Sequence, residues 1–108
     1  MVSRKQRPRR HAADHQAQSE FIASREQMIR ASTEFLKIDI ETALTFLKIA
    51  RETGDGVRKR RTCLAARKAY DTVNKLLLKV ELGVEDQRIV VGGLAQVRSE
   101  LEQLGEVF

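Results

Sequence analysis

The sequence predicts an all-α fold, an antiparallel up-down-up bundle of three helices, and three observations carry that expectation. Apolar residues recur at steps of three and four through three long segments. The single proline is Pro8, and the glycines fall at 54/56, 83, 92/93 and 105, which punctuates the body of the chain into those segments. At 108 residues, 42% apolar and 32% charged, the chain has room for one small core, and its charge suits helix surfaces better than disorder.

Residues 1–16 stand apart. They hold Arg4, Lys5, Arg7, Arg9 and Arg10 against Asp14, with Pro8 and two histidines and scarcely a bulky apolar group. Such a segment buries too little surface to offset its ordering entropy, so a disordered basic tail is expected over 1–16 and a single bundle domain over 17–108.

The first helix is expected from about Ser19 to Thr53, with Ser19 as N-cap, Glu20 in the first turn and Gly54 as its C′ stop. Ile22, Ile29, Leu36, Ala43 and Ala50 recur every seven residues, and Ile40, Leu44 and Leu47 join them. Phe35, Ile38, Phe46 and Ile49 widen the apolar arc, as in a helix that touches neighbours on two sides. At ~1.5 Å per residue this span exceeds roughly 50 Å. Either its first half protrudes or the chain bends near 31–33, and the absence of Gly and Pro favours an unbroken helix. A protruding half would expose Phe21, Ile22, Met28 and Ile29, a candidate self-association surface.

The second helix is expected from about Val57 to Leu82, with Asp55 capping its start and Gly83 stopping its end. Cys63, Ala66, Tyr70, Val73, Leu77 and Val80 share one stripe. The third runs from about Glu85 to Leu104, with Val90, Leu94, Val97, Leu101 and Leu104 at alternating steps of four and three. Ile89-Val90-Val91 favours β structure locally, but no second strand exists for it to pair with. Gly92-Gly93 weakens a helix by ~1 kcal/mol per glycine, which leaves either a close helix–helix approach or a kink as its explanation.

Charge is segregated along the body. Residues 58–80 carry eight bases and one acid, and residues 81–108 carry two bases and six acids. Arg61, Lys68, Lys75 and Lys79 fall within roughly 40° of arc on the second helix, outside its apolar stripe. Arg58, Lys59 and Arg60 precede or accompany them, and cations in a first turn oppose the helix dipole. These seven residues form a candidate face for anions or an acidic partner. Neutralisation by the acidic third helix, or plain solvation, is the competing account.

The other candidates are weaker. His11 and His15, four apart, give only two ligands in the segment expected to be disordered, so no metal site is expected. Cys63 sits on the apolar stripe with no histidine in the body to serve as its base, and reads as a small packed side chain. No phosphate-binding loop, dinucleotide glycine motif or paired carboxylates occur. Neither catalysis, a cofactor nor a small-molecule substrate is expected. No apolar run approaches the ~18 residues of a membrane span, and the basic start leads into no apolar segment of a secretory signal. A single Cys gives no internal disulfide, and a cytoplasmic setting follows as the expectation.

Thr45-Phe46-Leu47-Lys48-Ile49-Ala50-Arg51 and Ala66-Arg67-Lys68-Ala69-Tyr70-Asp71-Thr72-Val73 resemble helical segments of short uncharacterised bacterial all-helical proteins. The resemblance covers about residues 35–104 and implies no particular activity. Ala66, Tyr70 and Val73 are also spaced similarly to the second helix of a tetratricopeptide repeat, which implies protein binding. That likeness ends at Gly54–Gly56, where the repeat's first helix should continue, and no second copy of the 34-residue unit follows. The function expected is therefore binding of another protein or of a second copy of the chain. The alternative is a nucleic-acid accessory role, in which the tail and the second-helix bases make sequence-independent phosphate contacts.

Overall fold

The computed structural model is all-α: α1 (Val2–Glu52), α2 (Gly56–Leu77) and α3 (Val84–Gln103), with no strand among the described residues. Side chains are described from Ser24 onward. α1 is helical from Val2, so Ser19 lies within it and does not cap it, whereas the side chains of residues 1–23, which include the expected tail over 1–16, the two histidines, Phe21 and Ile22, lie outside the described residues. The chain forms two compact units, residues 1–31 and 32–108. In the first, Met28 is exposed and Ile29 half-buried. Positions 31–33 are helical.

The second unit contains the core. Leu36, Ile40, Ala43 and Leu47 of α1 meet Ala66, Ala69 and Val73 of α2 and Val90, Leu94, Val97 and Leu101 of α3 in one cluster. Apart from Ala69, which lies beside the α2 stripe, these are positions that the three-and-four spacing selects, while Cys63, Tyr70, Leu77 and Val80 of that stripe are only half-buried. Removal of the core from water is the dominant stabilising term. Arg88–Val91, the segment with local β preference, is helical. Without a partner strand its backbone groups are satisfied only within a helix.

Side-chain pairs fix the helix directions. Lys37 reaches Asp86 at 2.8 Å and Arg51 pairs with Glu100, so α1 and α3 advance together. On the other flank of α3, Arg67 of α2 reaches Glu106, just past the end of α3, at 3.2 Å, while Leu77 and Gln87 line one shallow depression. Hence α2 runs opposite to α3, giving up-down-up.

The two successive glycines of α3 do different things. A Cβ on Gly93 would lie 2.7 Å from Ile40 Cγ2, whereas one on Gly92 would meet nothing within 4 Å. Close approach of α1 therefore explains Gly93 alone.

Three boundary expectations are corrected. α2 ends at Leu77 instead of 82, closing with Lys79 N–H donating to Leu76 O at 2.9 Å. Continued helix would aim Leu82 about 160° away from Ala66, outward. The early stop lets Leu82 return and pack against the core. Gly83 is accordingly the N-cap of α3 in extended conformation, not the stop of α2. Gly54 is not a left-handed C′ residue. That role falls to Gly105, at φ +95°, where Glu106 N–H donates to Leu101 O and Gly105 N–H to Glu102 O in a Schellman closure of α3. The Asp55 cap is as expected, its carboxylate accepting from Val57 N–H at 2.9 Å and Arg58 N–H at 3.4 Å.

Candidate functional site

The feature with the least internal explanation is the basic surface of α2. Arg58, Lys59, Arg60, Arg61, Lys68, Lys75 and Lys79 are all exposed, and among the described residues none of their side chains makes a hydrogen bond or ion pair. Arg61, Lys68 and Lys75 share the outward face, and Lys79 follows in the turn after the helix. Arg58 departs from that face and lines a shallow depression with Ile49, Glu52 and Thr53 beside the α1–α2 connection. The first turn holds no acid, so only the Asp55 cap opposes the cationic charge at the positive end of the helix dipole.

Neutralisation by α3 does not occur. Asp86 and Glu100 are taken by Lys37 and Arg51 of α1, Glu85 and Glu102 by Arg88 and Arg98 of α3 itself, and Glu106 by Arg67. Asp71, the one acid of α2, also pairs with Arg67, at 3.3 Å. Aliphatic side chains interleave with the free bases: Val57 is 64% exposed, Leu64 61% and Leu78 88%.

Further apolar exposure lies on α1. Phe35 and Ile38, which the periodicity assigns to a widened packing arc, are 49% and 57% exposed. Packing against α2 and α3 leaves these two side chains uncovered, whereas Phe46 and Ile49 of the same arc are half-buried. Of the residues expected to mediate self-association, Met28 is 70% exposed and Ile29 half-buried.

A separate polar and aromatic cluster forms where segment 105–108 folds back between α2 and α3. Arg67 donates from Nη1 to Glu106 Oε1 at 3.2 Å and to the Val107 carbonyl at 2.9 Å. Its guanidinium carbon lies 3.9 Å from the Phe108 ring centroid, and that of Arg98 lies 4.7 Å from it. The edge of the Tyr70–Phe108 pair completes the cluster, with centroids 5.2 Å apart and planes at 77°. Hydrogen bonds to Glu102 and then to Tyr70 raise the Arg98 pKa further above its ordinary value. Sequence reasoning missed this cluster. Its only local signal was Gly105 after the last leucine, followed by an acidic and an aromatic residue.

Cys63 is half-buried, and burial pushes its thiol pKa up against the opposing effect of Lys59, the reverse of what a reactive thiolate needs. No three His, Cys, Asp or Glu gather into a metal-binding group among the described residues. No helix there is long and apolar enough to cross a membrane. Comparison with protein-family models, curated proteins and solved structures finds no match to this chain.

Proposed function

We propose that this protein is a non-catalytic helical bundle that acts by binding an acidic surface on a protein partner through the outward face of α2. The observation that supports this reading is the set of exposed bases without partners, next to α3 acids that are all committed elsewhere. Free cations interleaved with Val57, Leu64 and Leu78 suit an amphipathic acidic protein segment, which offers both carboxylates and apolar contact. The reading includes a cytoplasmic setting, where the lone Cys63 remains reduced.

The consecutive run Arg58–Arg61 favours a second reading, sequence-independent contact with nucleic-acid phosphates. Against it, Val57, Leu64 and Leu78 contribute nothing to a phosphate contact, and the face carries no aromatic residue on which a base could stack. Self-association is a third reading, supported by the exposure of Met28 and, separately, of Phe35 and Ile38. Size exclusion with light scattering tests it, and a strictly monomeric chain at high concentration would remove it.

Fluorescence anisotropy separates the first two. An acidic amphipathic helical peptide and a single-stranded RNA are each titrated with the chain at low and moderate salt. Protein binding predicts peptide affinity that survives moderate salt and falls about tenfold or more in Lys68→Glu/Lys75→Glu, the melting temperature moving by less than about 3 °C. Tighter RNA binding with a steep salt dependence would reverse the order of the two readings.

A further inference from the structure

Segment 106–108 is held in an unusual way. Glu106 and Phe108 face the α2–α3 junction through an ion pair and two cation–ring contacts, while Val107 between them points away and is 84% exposed. Its backbone is gripped once, at the Val107 carbonyl, by Arg67. No side chain of the segment is fully buried, and Phe108 itself remains 39% exposed. Contacts of this kind open at little cost compared with those of the core. Gly105, at φ +95°, ends the Schellman turn immediately before the segment and marks where it leaves α3.

The receiving groups keep their geometry by other means. Asp71 accepts from Arg67 Nε at 3.3 Å, and Glu102 accepts from Arg98 Nε at 2.9 Å. Tyr70 is anchored by packing against the core. The notch is thus preorganised by contacts that do not involve its occupant, which lowers the ordering cost of filling it from outside. What fills it displays the chemistry that it reads: a carboxylate, an outward residue, then an aromatic ring against two guanidinium groups.

We infer that Arg67, Tyr70 and Arg98 form a receiving site for an acidic–x–aromatic segment of a protein partner, which segment 106–108 fills in the free protein and which the partner's segment displaces. This site lies on the α3-facing side of α2, apart from the outward bases, and its failure would leave the reading of that basic face untouched. Arg67 is the discriminating residue, since it alone touches the carboxylate, the backbone carbonyl and the ring.

Tyr70 is the only tyrosine and the chain has no tryptophan, so intrinsic fluorescence reports on the notch directly. The full-length Phe108→Ala variant is titrated with a peptide carrying Glu-Val-Phe between Gly-Ser flanks, with excitation restricted to tyrosine. A saturable change is expected, about tenfold weaker in the wild-type chain, where the internal segment competes. The response should vanish with an Ala-for-Phe peptide, fall with a Gln-for-Glu peptide, and be lost in Phe108→Ala/Arg98→Gln. A folded Phe108→Ala chain that gives no saturable response would overturn the proposal, as would equal binding of the Ala-for-Phe peptide. Loss of helical circular dichroism in Phe108→Ala would also overturn it, because the segment would then be part of the bundle itself.

Discussion

The α1–α3 seam and the outward face of α2 are built from the same charged residue types and reach opposite outcomes. At the seam, Lys37–Asp86 and Arg51–Glu100 fix two helices in parallel register on either side of the contact between Gly93 and Ile40. Glu100 is only 15% exposed, and its Oε2 is buried without a partner of its own, so the Arg51 contact is what offsets its desolvation. On the outward face of α2, the bases face water and none forms an ion pair. A run of charges is therefore uninformative by itself. What separates a structural charge from an available one is whether the neighbouring helix brings its counterion to the same level.

The largest effect that would test this contrast is in the core beneath both regions. Leu47→Ala or Leu101→Ala, each at a fully buried position, should cost about 2–5 kcal/mol in urea unfolding. An unchanged midpoint would dissolve the bundle on which the comparison depends. Next comes the close approach at the seam. Gly93→Val should destabilise by about 1–3 kcal/mol because Ile40 must move, whereas Gly92→Ala, with open space around it, should stabilise by up to about 1 kcal/mol. Equal effects at the two glycines would remove the close approach as the reason for Gly93.

Breaking the seam's partly buried ion pair with Arg51→Ala should cost about 1–2 kcal/mol, between the exposed and buried extremes. Thermal melts at low and high salt would show that cost persisting, since a pair that includes a shielded carboxylate is less screened. The smallest effect concerns Asp39, whose carboxyl is pushed above its ordinary range by burial. A raised carboxyl favours the folded state below its unfolded value of about 4, and that contribution is lost as pH rises through the folded value. Asp39→Asn should therefore stabilise the chain near neutral pH and have no effect in acid, as melts across that range would record.

Much of the fold was legible because helical periodicity is local. The steps through Leu36–Ala50 and Val90–Leu101, with Ala66 and Val73, name most of the core directly, and Asp55 announces its helix through the chemistry of a cap. The end of α2 was not legible. No residue between Leu77 and Gly83 forbids helix, and the stop reflects Leu82 returning to a core that the local sequence does not describe. The basic residues of the candidate face could be named in advance, but not whether they were free. The notch of Arg67, Tyr70 and Arg98 was invisible because its members are spread over some thirty positions and meet only across a helix junction.

The sequence by itself determined that there are three amphipathic rods, which residues each rod hides from water, and that cations concentrate on the second. The tertiary structure decided which acids find which bases, that Gly93 and not Gly92 carries the helix contact, and that segment 106–108 lies between two arginines. The division has one cause. Periodicity and capping depend on neighbours a few residues apart, while counterion choice and close approach depend on how far each helix slides along the next, a distance fixed only when all three share one core.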